Sequence, residues 1–258
     1  MIHSIIDAHI HFDQYSESAR STILKDLQAY KVEALISVST NLASSQRNLA
    51  LAEMDQRIKP AFGFHPEQEL PGDWELSQIC SFLDEHKNQM VAVGEVGLPY
   101  YLRIEHPDIQ VEPYIEILDV FVKQASKLNK PIILHAVYDD APVVCDLLEK
   151  HSVTKAHFHW FKGDAKTIQR MIQNGYYISV TPDCLYETEI QQLIKEYSLD
   201  KLMVETDGPW PFEGSFKNTM THPKMIHRSI QLIAEIKKVP VEKVYVDIYG
   251  NTKTFYGL

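Results

Sequence analysis

Residues 5–11 read Ile5-Ile6-Asp7-Ala8-His9-Ile10-His11, a short apolar run that closes on two histidines two positions apart. Side chains alternate along a strand, so both imidazoles point the same way. A doubly wound open sheet would usually follow its first strand with a Gly-rich phosphate turn, and nothing in this stretch resembles one. Neutral imidazole is the commonest side-chain metal ligand, so the stretch predicts half of a metal site at the end of a buried strand.

Working outward from a first strand at 5–9, similar β-rich runs recur along the chain, at 34–38, 59–63, 91–96, 131–135, 155–159, 177–180 and 201–205. Several are almost wholly apolar, as strands covered on both faces must be. Helical patterns lie between them, near 18–30, 42–55, 74–87, 112–128, 141–151, 165–174, 186–197 and 223–237. In the clearest of these, Ile117, Phe121, Ala125 and Leu128 fall on one side at helical spacing. Strand-helix units repeated eight times in 258 residues predict an α/β protein with the (β/α)8 TIM-barrel fold, whose typical length is ~250 residues. No Gly, Ser or Pro-rich linker divides the chain, so residues 1–258 are expected to form a single barrel domain.

Barrel active sites sit at the C-terminal ends of the strands, and the candidate ligands occupy those places. They are His9 and His11 after the first strand, Glu95 at the fourth, His135 at the fifth, His159 at the sixth and Asp207 at the eighth. Such a set exceeds one tetrahedral zinc and suits two divalent cations, with Glu95 bridging because a carboxylate offers two oxygens. Paired cations lower the pKa of bound water, so the expected chemistry is hydrolysis. Asp207 is placed to hold one cation and accept the proton of the attacking water, which makes Glu95 and Asp207 the catalytic carboxylates. Mixed imidazole and carboxylate ligands suit Zn, Mn, Fe, Co or Ni, and suit Mg less well. His157 shares the parity of His159 and is expected deeper in the barrel as a structural partner.

Composition narrows the alternatives. A formal net charge of −10 disfavours dense coating of nucleic acid, although an anionic ester can still bind locally beside a cation. Cys80, Cys145 and Cys184 lie far apart without a Cys-x-x-Cys, which predicts reduced, buried thiols and neither a disulfide framework nor a zinc-thiolate site. The first residues lack the charged start and apolar run of a secretory signal, and no apolar run is long enough to span a bilayer. A cytoplasmic protein without membrane association or an obligate protein partner is expected. His3, His86, His106, His151, His222 and His227 read as surface or cap residues.

Together, Asp7-Ala8-His9-Ile10-His11, Gly63-Phe64-His65-Pro66, Gly94-Glu95-Val96-Gly97-Leu98, His159-Trp160-Phe161-Lys162-Gly163-Asp164, Glu205-Thr206-Asp207-Gly208-Pro209 and Asn251-Thr252 with Phe255 resemble the TatD-type hydrolases of the amidohydrolase superfamily. The resemblance spans nearly the whole chain. It implies a (β/α)8 barrel with a divalent metal centre and metal-dependent deoxyribonuclease activity. It also implies metal ligands at His9, His11, Glu95, His135, His159 and Asp207, and a substrate-side imidazole at His65. Lys162, at the mouth of an acidic barrel, would join His65 in binding an anionic phosphoester or nucleic-acid substrate. Three departures fall where substrate should bind: Pro99 stands where the family usually has Asp, Trp160 and Lys162 replace small residues, and Thr221-His222-Pro223 replaces an Asn-Glu-Pro-like sequence. They leave room for a lactonase or amidohydrolase acting on a small uncharged ester or amide. A catalytically silent metal-binding module is disfavoured by the full ligand set.

Overall fold

The computed structural model describes residues 3–258. Eight parallel strands follow one another in chain order around one sheet. They are β1 (Ile5–Ile10), β2 (Val32–Ser37), β3 (Ile58–Phe62), β4 (Ala92–Gly97), β5 (Ile132–His135), β6 (Ala156–Phe158), β7 (Tyr177–Val180) and β8 (Leu202–Val204). Helices connect them on the outside: α1 (Glu17–Asp26), α2 (Leu42–Met54), α3 (Asp73–Glu85), α4 (Tyr100–Glu105), α5 (Glu112–Leu128), α6 (Asp140–Lys150), α7 (Ala165–Gln173), α8 (Thr188–Glu196), α9 (Ile226–Lys237) and α10 (Val241–Tyr256). The fold is the (β/α)8 barrel. Two helices differ from expectation: α4 is a short turn in the β4 loop, and α10 is an additional helix after the eighth repeat.

Local chemistry fixes several boundaries. The side chains of Ser16, Asn41 and Asp164 accept first-turn N–H groups of α1, α2 and α7, satisfying donors that a helix start leaves free. Asn129, in the left-handed conformation, stops α5. The buried stripe of α5 runs through Tyr114, Leu118, Phe121, Val122 and Ala125, with Ile117 and Leu128 at its margins.

Strand residues divide by parity. Leu35, Phe62, Val93 and Val204 join the large core between sheet and helices, while Ala34, Ile36, Ala61, Ala92 and Met203 form a smaller cluster with Phe255 and Tyr256 of α10. The last helix thus plugs the barrel floor, where the Tyr256 hydroxyl donates to the Ala8 carbonyl at 3.2 Å. Between β8 and β1 the seam is drawn together just past β8: Thr206 donates through its N–H and hydroxyl to Asp7, Asp207 N–H to the His9 carbonyl, and His11 N–H to the Gly208 carbonyl. Burial pushes the Asp7 carboxyl up to about 8 despite these donors.

Cys145 and Cys184 are buried and unpaired as expected, whereas Cys80 is only half-buried because it lies towards the outer side of α3. Of the histidines read as surface or cap residues, His222 is a cap, though a buried one, and His227 is buried and is neither. His222 caps the turn before α9, and His227 is tied to the Tyr245 hydroxyl and the Tyr30 carbonyl. Among the described residues no helix is long and apolar enough to cross a membrane.

Candidate active site

All the residues singled out at strand ends converge at the C-terminal mouth. His9 is the penultimate residue of β1 and His11 directly follows the strand, and their rings stand edge to face 5.2 Å apart. Glu95 reaches them from β4, and Asp207 arrives from the loop after β8 with its backbone at φ 48°. Gly97 allows β4 to approach β5 at this level, since a Cβ there would collide with the His135 carbonyl oxygen.

One oxygen of Glu95, Oε2, lies 3.2 Å from His9 Nε2 and 3.3 Å from His11 Nε2. Asp207 Oδ1 lies 3.3 Å from the same two nitrogens. A tetrahedral ion with ligand bonds of about 2.0–2.1 Å has ligand-to-ligand edges of about 3.3–3.4 Å, so these atoms stand where a cation would need them. His9 Nε2, Glu95 Oε2 and Asp207 Oδ1 are buried without a hydrogen-bond partner. Orphaned acceptors of this kind are costly unless a cation meets them.

The second oxygen of Glu95 faces a second group. Oε1 lies 2.6 Å from His159 Nε2 and 3.0 Å from His135 Nδ1, and those nitrogens are 3.2 Å apart. His135 turns its other nitrogen to Glu67 Oε1 at 3.0 Å, a contact that with a cation bound would keep the proton on Nε2 and leave the Nδ1 lone pair to the centre. Glu67 is itself fixed by the N–H groups of Tyr101 and Leu102 in α4. His159 directs Nδ1 towards Glu205 at 3.6 Å, and its ring stacks on His9 with centroids 3.8 Å apart.

His65 adjoins this second group, with Nε2 3.5 Å from Glu95 Oε1. The Glu67 N–H donates to its Nδ1 at 3.1 Å, which assigns the proton of the neutral ring to Nε2. Burial holds His65 down to about 3, so the ring stays neutral and presents a donor to the mouth. Lys162 stands at the rim, its ammonium 5.8 Å above the Trp160 ring. Arg103, another cation of this region, is committed to an ion pair with Asp140.

Charges in the cluster are strongly coupled. Burial disfavours the charged form of His11, yet the Asp207 and Glu95 carboxylates outweigh it and raise the imidazole to about 10. The same opposition raises His159 through Glu95 and Glu205, while the neighbouring imidazoles hold Glu95 well below the carboxylate range. A divalent cation placed among these groups would compete with their protons, which is the linkage expected of a metal site.

A family model described as TatD related DNase matches residues 6–257. The chain belongs to the TatD family. A Haemophilus influenzae relative named as an uncharacterized metal-dependent hydrolase is 38% identical over 255 residues, covering 98% of this chain and 100% of its own. The human relative named deoxyribonuclease TATDN3 is 26% identical over 249 residues, covering 93% of this chain and 90% of its own. Among solved structures, the TatD homologue YjjV of Escherichia coli K12 superposes with a TM-score of 0.89 at 28% identity, with 100% of both chains covered. Among the described residues, His, Asp and Glu groups form three clusters compatible with metal binding, and all of them draw on residues named above.

Other members of this TatD-type site escaped sequence reading. Glu67 and Glu205 act on ligands through one contact each, and most of their remaining contacts are to backbone N–H groups, which leave no spacing signature. Glu205 is fully buried and accepts from the Trp160 N–H at 2.8 Å and from the Ser179 hydroxyl. Ser179 in turn meets His157 Nε2 at 2.5 Å, and His157 Nδ1 meets the Tyr256 hydroxyl at 2.7 Å. His157 therefore sits beneath the ligands rather than among them.

Proposed function

We propose that this chain is a two-metal phosphoesterase that cleaves DNA ends or small nucleotides. The observation carrying this reading is the division of Glu95, whose two oxygens face two separate groups of imidazoles. In this reading His9, His11, Glu95 and Asp207 hold one divalent cation, and Glu95, His135 and His159 hold the other. Bound there, Zn, Mn, Fe, Co or Ni would supply Lewis acidity towards the phosphoryl oxygen and acidify water. Asp207 is the more open of the two carboxylates, with its side chain 11% exposed against 0% for Glu95, so it accepts the proton of the attacking water. His65 Nε2–H and Lys162 donate to the remaining phosphate oxygens. The names of the relatives, a metal-dependent hydrolase and a deoxyribonuclease, support this assignment.

A second reading, hydrolysis of a small uncharged ester or lactone, draws support from the pairing of Arg103 with Asp140, which leaves few cations for phosphates. The two are separated by assaying the metal-loaded protein against single-stranded DNA and a γ-lactone, with Asp207→Asn as the blank. DNA cleavage is expected, falling by ~10²–10⁴ in kcat in the variant. Lactone turnover without DNA cleavage would overturn the phosphoester assignment.

A further inference from the structure

Aromatic side chains stand beside the ligands in numbers that hydrolysis does not require. Trp160 directly follows His159, and Trp210 lies just past Asp207, its N–H bonded to the Asp207 carbonyl at 3.1 Å. The two indoles meet edge to face with centroids 5.8 Å apart. Phe212, which is buried, supports Trp160 from 6.3 Å. Over β4, Tyr101 lies 6.2 Å from the His135 ring. Core packing would bury such rings, yet Trp210 is 57% exposed and Tyr101 44%.

Trp160 is also held with unusual firmness. Its backbone sits at φ 38°, a region uncommon for a bulky residue. Its N–H donates to Glu205 at 2.8 Å, and its indole Nε1–H donates to Asp183 at 2.5 Å. Both donors are thereby used and the ring orientation is set, so Trp160, with Lys162 over its ring, is a fixed support for the exposed Trp210 indole. Unfavourable backbone geometry that neighbouring contacts over-determine recurs where a site is pre-organised for a ligand. Asp183 itself is buried, bonded to the Thr181 hydroxyl as well, and belongs to no part of the hydrolytic centre.

Charge points in the same direction. With a net charge of −10 and Arg103 committed to Asp140, phosphate neutralisation can supply little affinity for a nucleic acid. Stacking on aromatic faces is the other general source of affinity, and it tolerates any sequence because every base has a π face.

We propose that Trp160 and Trp210 form a stacking platform for the nucleobase next to the cleaved phosphoester. The proposal rests on the phosphoester reading and names its substrate class: a base already free of its duplex, in a single strand, a frayed end or a short nucleotide.

Two measurements test it. The first compares KM for a short single-stranded oligonucleotide carrying ordinary terminal nucleotides with KM for the same strand made abasic at those positions. A stacked base contributes enough that the ordinary strand should have a KM lower by ~5-fold or more. Trp210→Ala, at an exposed position that tolerates truncation, should bring the ratio towards one, while Trp210→Phe should retain most of it. The second uses uncleavable phosphorothioate trinucleotides with 2-aminopurine at either end, whose fluorescence falls on stacking. Quenching by the wild-type protein that Trp210→Ala abolishes supports the platform, whether or not any oligonucleotide is cleaved. Equal KM values with no quenching overturn the platform and leave the phosphoesterase standing. Cleavage of neither strand overturns the phosphoesterase, and the quench then decides the platform alone.

Discussion

Replacing Glu95 with Gln tests the centre at its most connected point. Oε2 serves His9 and His11 at 3.2 and 3.3 Å, and Oε1 serves His159 and His135 at 2.6 and 3.0 Å. An amide has one oxygen and one NH2, so either orientation turns a donor towards one pair of imidazoles and removes the shared negative charge from both. Even outlying partners of a metal ligand are worth ~10–100-fold in affinity, so this loss should be at least that large. By mass action such a change removes ~1.4–2.7 kcal/mol of metal-linked stability. At ~2–4 °C per kcal/mol for a domain of this size, the melting gain on adding Zn or Mn should shrink by ~3–10 °C. Without metal the variant should itself melt lower than wild type, because the buried imidazoles around Glu95 lose their counter-charge, so the metal-dependent gain is read against each protein's own metal-free melt. Thermal melts with and without metal, paired with elemental analysis, read both quantities. A variant that keeps two equivalents of metal and the full melting gain would refute the bridging role.

Three further outcomes are expected. Glu205→Gln should weaken metal binding by ~10–100-fold in a competitive chelator titration while leaving the circular dichroism spectrum intact, since the negative charge facing His159 is lost but Gln keeps an acceptor oxygen for the Trp160 N–H. Unchanged affinity would make it a loop anchor only. Burial holds His222 down to about 4, below its ordinary 6.5, so its contribution to stability is complete above pH 6.5 and lost as pH falls towards 4. His222→Gln should flatten that limb of a denaturant-midpoint profile by up to ~3 kcal/mol, and an unaltered limb would exclude it. His65→Ala combined with Lys162→Ala should raise KM for single-stranded DNA and weaken inhibition by inorganic phosphate, and unaltered inhibition constants would remove both from the phosphate site.

Much of this architecture is written in local patterns. The strand runs are legible because each is a block of aliphatic residues bounded by polar or turn residues. Tyr177–Val180 needs no adjustment and the others shift by a residue or two, as β1 does in extending to Ile10. α10 was not legible: the eight repeats end with α9, and Phe255 and Tyr256 reveal their purpose only once the floor they plug exists. The convergence of His9, His11, Glu95, His135, His159 and Asp207 follows from strand ends alone, since a barrel brings every such end to one mouth. Glu67 could not be found in that way, because its position depends on α4, a helix too short to leave a periodic signal. The tautomer of His65 is likewise a matter of one backbone N–H from Glu67 and has no trace in residue type.

The seam between the first and last strands sets an order on the life of the molecule. Asp7 and Thr206 are 199 residues apart, and the contacts between them lie two residues before His9 and one before Asp207 on the two sides of the seam. A chain emerging from the ribosome presents His9 and His11 well before Asp207, the carboxylate that faces them across the seam and is added 196 residues after His11 (207 − 11). A nascent chain therefore holds an incomplete chelate, and a captured ion can be retained firmly only after β8 has been delivered. Once bound there, the ion fastens the two ends of the sheet together, so slow exchange of the His11 and Asp207 amides should appear with metal loading and vanish with a chelator.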